Sequence, residues 1–258
     1  MALENLTYKP LIEAIFEIRW ETDQSLESIS APNTQLILGR LFDKLNSTYP
    51  QYEQLPSADI PEHMAAGIVK YRFSSENKWP LVQLGTGVLT VNDTENYLWT
   101  DFRDRVIEVV NQLYNVHPNK EQLKITNLSL KYIDAVDIDY EDDIYSFLQE
   151  KMQLNLSLNN LLFQNTPINK KPIQLDLNLA FNCDKPKGFI NFRLLKGQKT
   201  DDTEIISDAI IWEITIQSNE DNISDIPSQL GQWLEEAHSV SHNWFFTLVE
   251  GDLLRSFE

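Results

Sequence analysis

The residue pair in this chain best suited to chemistry by type and spacing is His238 and His242. Four positions apart, they project from one side of a helix, where two imidazoles can share a metal ion. Position 239 is Ser, so the H-E-x-x-H arrangement with its built-in general base is missing. A third metal ligand has to come from elsewhere, Glu235 or a more distant acid. The competing reading is packing. On a helical wheel both histidines fall at the edge of an apolar stripe, His238 nearer its centre, where a histidine rests on the core with one ring nitrogen hydrogen-bonded.

A second cluster, Asp134, Asp137, Asp139, Glu141, Asp142 and Asp143, places six acids within ten residues. Clustered carboxylates hold Ca²⁺ or Mg²⁺, but an EF-hand loop starting at Asp137 fails, with Asp142 where Gly is needed and Leu148 where the closing Glu belongs. Asp142 and Asp143 stand just before a helical stretch, where negative charge offsets the positive end of the helix dipole. Cys183 is the single cysteine, so no internal disulfide forms. Lys185 and Lys187 beside it would favour the thiolate, yet nothing else marks it as a nucleophile. The patterns G-x-S-x-G, G-x-G-x-x-G and Walker A do not occur, nor does an acid followed by E-x-K on consecutive strands. No cofactor is expected.

The helix carrying the histidines reads from Ser224 to Phe257, with Ser224 or Asp225 as N-cap, Pro227 in the first turn and a break near Gly251. Leu230, Leu234, Ala237, Ser241, Phe245 and Leu248 form its apolar stripe, flanked by Trp233 and Trp244. Upstream, Glu13 to Glu21 alternates, with Ala14, Phe16, Ile18 and Trp20 on one face and charged residues on the other. Pro32 and Asn33 lead into a helix through Leu45, and residues 50–62 read as a proline-bearing loop. Strands follow over Ile68–Phe73 and Leu81–Val91, the latter holding Gly85 and Gly87, which mark a bulge or the close approach of another backbone. A helix over Trp99–Tyr114 and a long strand over Leu123–Ile138 complete a β-α-β-β-α-β first half, the ferredoxin-like order. The second half reads as a helix from Ile144 to Met152, strands over Ile173–Phe181, Phe189–Leu195 and Ala209–Gln217 as an antiparallel meander, and then the long helix. The expected class is α+β, mainly antiparallel, with residues 1–140 and 141–258 as two halves of one domain and the long helix packed on the sheet.

Composition narrows the partners. The net charge of −18 disfavours phosphate backbones and anionic membrane surfaces. It points instead to an acidic face that meets a basic protein partner or mimics DNA; self-association is the other partner expectation. No window holds about 18 uninterrupted apolar residues, so no membrane-spanning helix is expected. The N-terminus lacks signal-peptide features and the cysteine usage is sparse, which together place the chain in a reducing cytoplasm.

Three stretches resemble a family of uncharacterised, sporadically distributed prokaryotic proteins. PLIEAIFEIRW (Pro10 to Trp20) is similar to the family's P-x-x-E-A-x-F-E-I-R-W signature. LKYIDAVDI (Leu130 to Ile138) is similar to its L-R-Y-I-N motif, with Lys131 and Asp134 in place of Arg and Asn. AHSVSHNWF (Ala237 to Phe245) is similar to its A-H-x-V-x-H-x-x-F helix. The resemblance implies no known activity or cofactor. It does imply that His238 and His242 match family positions, while Asp in place of Asn at 134 departs from any side-chain amide role there. His238, His242, Asp134 and Tyr132 are the candidate ligand or partner contacts. The patchy distribution implies an accessory role, in phage defence or in a toxin–antitoxin pair. The expected function is a non-catalytic interaction or sensing module. Its alternative is a metal-dependent enzyme or metalloprotein using His238, His242 and an acid.

Overall fold

The computed structural model describes residues 6–22, 34–94, 96–139, 143–200, 206–223 and 225–258. Pro32, Asn33, Glu141, Asp142 and Ser224, given roles in the sequence reading, lie outside them. The described strands are β1 (Leu11–Trp20), β2 (Gln51–Gln54), β3 (Val69–Ser74), β4 (Leu81–Gly85), β5 (Val88–Asp93), β6 (Ile125–Asp137), β7 (Asp176–Asp184), β8 (Lys187–Thr200) and β9 (Ile206–Asn219). The helices are α1 (Thr34–Leu45), α2 (Trp99–Val116), α3 (Ile144–Lys151), α4 (Leu230–Leu248) and the single turn α5 (Asp252–Arg255). All nine strands join one antiparallel sheet in the order β2-β3-β4-β5-β1-β6-β9-β8-β7, an α+β arrangement to which both halves of the chain contribute. Among the described residues no helix is long and apolar enough to cross a membrane.

The register explains the core. Phe73 lies opposite Val82, Val82 opposite Val91, Val91 opposite Phe16, and Phe16 opposite Leu130. The row continues through Ile216, Ile190 and Phe181, and begins at Tyr52 on β2. Because side chains alternate faces along a strand, this apolar rung crosses all nine strands on one side of the sheet. Helices α1, α2 and α4 lie on that side. Phe42 of α1 meets Phe73, Arg105 of α2 pairs with Asp93 at 2.7 Å, and Trp233 of α4 meets Phe16 edge-on at 6.3 Å. The opposite face carries charge, with Lys131 bonded to Glu213 and Arg193 to Asp176.

The first half gains two strands over the β-α-β-β-α-β reading. Residues 50–62 include β2, which pairs with β3. The stretch 81–91 is two strands, because Thr86 and Gly87 turn the chain, Gly87 at φ +72°. Only glycine adopts that conformation readily. Gly85 is the close approach expected from its position, since a Cβ there would lie 1.9 Å from the Ile68 carbonyl oxygen. The C-terminal helix is shorter than Ser224–Phe257. It starts at Leu230 and stops at Leu248, and Gly251 at φ +110° separates it from α5. Its buried stripe is the expected one, with Trp233 added.

Burial along the central rung sets the energetics. Phe16 is fully buried while Phe181, at the sheet edge, is 47% exposed. Phe16→Ala is expected to cost about 3–5 kcal/mol, from lost transfer energy and the cavity left behind. Phe181→Ala is expected to cost under about 1 kcal/mol. Urea denaturation of the two variants checks the contrast, and equal losses would contradict the burial gradient.

Candidate functional site

Strand β6 and helix α4 bring together the four residues singled out for contact. Tyr132 and Asp134 are two apart on β6 and so share its helix-facing side. His238 and His242 occupy successive turns of α4, with ring centroids 5.7 Å apart. With Ile214, Ser241 and Phe245 these four line a cavity of about 10 Å³. That is room for roughly one water molecule.

His238 is held on three sides. Its Nδ1 lies 2.9 Å from the Tyr132 hydroxyl, which lies 2.8 Å from the Tyr97 hydroxyl. The indole of Trp99, at the start of α2, stacks on the imidazole at 3.9 Å and 7°. Burial, and secondarily His242, push the His238 pKa down to about 4 against the pull of Glu235. A neutral His238 accepts at Nδ1 when Tyr97 donates to Tyr132 and Tyr132 donates onward, which satisfies the whole chain of groups. Burial also pushes the Tyr132 hydroxyl well above its ordinary range, so it remains a donor at neutral pH.

Asp134 is the anomaly of the site. Its register partners are Leu11 on β1 and Trp212 on β9, so it occupies a position that alternation assigns to the core. The residue is 2% exposed. Burial pushes its carboxyl up to about 8, and no charge or hydrogen bond among the described residues offsets that. At neutral pH the pocket therefore pairs a protonated carboxyl with a neutral imidazole. Groups in these states can donate and accept a proton with a small guest. The cavity volume limits that guest to the size of water.

The remaining candidates are dispersed. Glu235 is exposed and turned toward α2, accepting from Arg103 at 2.5 Å and from the Trp99 indole at 3.4 Å. Asp137 accepts from Ser207 at 2.7 Å and pairs with Lys199 at 2.9 Å. Asp143 is the N-cap of α3, accepting from the Tyr145 amide at 3.2 Å. Cys183 is half-buried, its thiol donating to the Lys185 carbonyl at 3.4 Å. Among the described residues no three His, Cys, Asp or Glu side chains are grouped to hold a metal ion. Tyr97 and Trp99 were not anticipated from the sequence. They lie more than 130 positions from His238, and only the packing of α2 beside α4 makes them neighbours.

The fold and site together define an α+β protein with a water-sized polar pocket buried between the central sheet and its last long helix. The chain matches no protein-family model, no curated protein and no solved structure.

The two titrating groups act on stability in opposite directions. The folded state keeps a proton on Asp134 that the unfolded chain releases near pH 4, so stability falls as pH rises from about 4 to about 8. His238 refuses a proton that the unfolded chain takes up below about 6.5, so stability falls as pH drops from there toward about 4. Asp134→Asn is expected to gain steadily on the wild type in urea midpoint between pH 5 and pH 8. An offset that does not change with pH would mean the carboxyl is not held protonated. Tyr132→Phe leaves Tyr97 and His238 without their shared partner, and is expected to cost about 1–3 kcal/mol in the same measurement.

Proposed function

We propose that this protein is a non-catalytic interaction module whose working surface is the uncovered edge of the sheet at β7. One observation carries the reading. The apolar face that is buried at the centre of the sheet continues past the cover of α4 and reaches solvent on β7 at Leu179, 39% exposed, and Phe181, 47% exposed. The segment leading into β7 adds exposed Leu158, Leu161, Leu162, Ile168 and Ile173. Exposed apolar side chains gathered along one stretch of chain and one sheet edge favour a protein contact site.

The polar pocket fits the same reading as a positioning element, because it fixes α4 on β6. The three stretches that resemble the sporadically distributed family meet at this pocket. Ala14 of the first lies opposite Tyr132 of the second, and Tyr132 bonds to His238 of the third. A metalloprotein reading of His238 and His242 draws less support, since Tyr132 engages one histidine nitrogen and Arg103 engages Glu235.

Affinity capture from cell lysate with the wild-type chain and with the double variant Leu179→Asp, Phe181→Asp tests the proposal. A protein retained by the wild type is expected to be lost from the variant, whose melting temperature should shift by no more than a few degrees. Equal retention by both would remove the β7 edge as the working surface.

A further inference from the structure

Strand β7 ends the sheet, and its far side has no strand partner among the described residues. Every residue from Asp176 to Asp184 is exposed or half-exposed. The Lys196 amide donates to the Leu175 carbonyl directly opposite it at 3.1 Å, and the β7–β8 register runs unbroken from there to Asp184 opposite Lys187. Alternation in an antiparallel ladder then turns the odd-numbered residues of β7 toward β8. The N–H and C=O groups of Asn178, Ala180 and Asn182 point outward. Native sheets usually blunt such an edge with proline, bulges or charge, and an unblunted edge is a template for another strand.

The two faces of this edge differ. Leu179 and Phe181 lie on the helix side, where Phe181 meets Trp244 of α4 at 5.7 Å. Electrostatics distinguish the occupant. Residues 170–199 hold seven Lys and Arg against two Asp, a formal +5 in a chain of net −18. One of those two acids, Asp176, is neutralised by Arg193 at 2.8 Å. Lys185 and Lys187 stand exposed at the turn that closes the hairpin. Arg193 and Lys199 are paired with acids, so the basic charge presented at this edge is that of Lys185 and Lys187 at the turn. Net charge over the whole chain points to a basic partner, and local charge reverses that at this edge.

We infer that β7 accepts an extended segment of a partner protein in which apolar and acidic residues alternate, added to the sheet as a tenth strand. Main-chain hydrogen bonds to Asn178, Ala180 and Asn182 supply affinity. The apolar residues extend the rung beyond Leu179 and Phe181, and the acids answer the lysines at the turn. A second copy of this chain fits less well, since two-fold pairing at β7 would set one hairpin of formal charge +3 against another. Nucleic acid would engage the lysines but leave the outward amides and the apolar row unused. This inference rests on the reading of β7 as the working surface.

The test is fluorescence anisotropy with a blocked, labelled nonapeptide alternating Val and Glu, beside a Val/Lys counterpart and a single-stranded DNA oligonucleotide. The Val/Glu peptide is expected to bind the full-length chain, and to bind at least tenfold more weakly when Lys185 and Lys187 are both changed to Glu. Ala180→Pro removes an outward N–H without touching the β7–β8 ladder, and is expected to weaken binding at least tenfold. Phe181→Ser tests the apolar row independently, in case the proline variant melts early. No binding at millimolar peptide, equal binding of the Val/Lys peptide, or displacement by the oligonucleotide would overturn strand addition. So would a concentration-dependent dimer in sedimentation that Ala180→Pro abolishes. If capture from lysate depends on Leu179 and Phe181 while the nonapeptide fails to bind, strand addition is wrong and the interaction surface stands. If capture is indifferent to both residues, the broader reading fails as well.

Discussion

Nine strands spaced about 4.8 Å apart make a face roughly 40 Å wide, whereas three helices packed side by side cover only about 30 Å. Much of this structure follows from that mismatch. The helices centre on β5, β1, β6 and β9, where Val91, Phe16, Leu130 and Ile216 are fully buried. The shortfall falls on the two ends, and the terminal members of the same rung, Tyr52 and Phe181, are 48% and 47% exposed. At the β2 end Tyr52 is partly shielded by Phe42 and stacks on Tyr71 at 6.2 Å. At the β7 end Trp244 reaches out from α4 to Phe181 and Phe192, and among the described residues no helix covers the row beyond it.

The polar pocket sits between β6, β9 and α4. Placing Asp134 in an otherwise apolar rung disfavours its ionised form, and burial is what raises its pKa among the described residues. Its neighbours avoid the same problem by hydrogen bonding along Tyr97, Tyr132 and His238, with Trp99 closing the ring face. The result orients α4 in rotation and in position along β6, since sliding the helix by one turn would replace His238 with Leu234 or His242 at the Tyr132 hydroxyl. A correctly seated α4 in turn carries Trp244 to the β7 edge. The pocket and the edge are thus linked through one rigid helix.

Charge is distributed as unevenly as cover. The chain as a whole is strongly acidic, yet the β7–β8 hairpin and its lead-in carry the opposite sign. Partner arguments from net charge therefore describe long-range attraction, while the sign at an interface is set by the side chains within about a Debye length of it.

Much of the architecture is legible in the sequence. The alternation of Ala14, Phe16, Ile18 and Trp20 set the buried face of β1, and the stripe from Leu230 to Leu248 set that of α4. These are local periodicities, and burying one face of an element requires them whatever it packs against. The resemblance of three separate stretches directed attention to Tyr132, Asp134, His238 and His242, which do line one pocket. Less visible was anything decided by a partner element. Strand β2 has no apolar alternation, because it lies at an edge and pairs through its backbone. The split at Thr86 and Gly87 turns on one positive φ rather than on hydrophobicity. Tyr97 and Trp99 join His238 only through the packing of α2 against α4. The protonated state of Asp134 is likewise tertiary, since the residue type predicts an ionised carboxylate and only complete burial reverses it. Periodicity, in short, determined which side chains must leave water, while long-range packing decided which of them meet and which, at β7, remain uncovered.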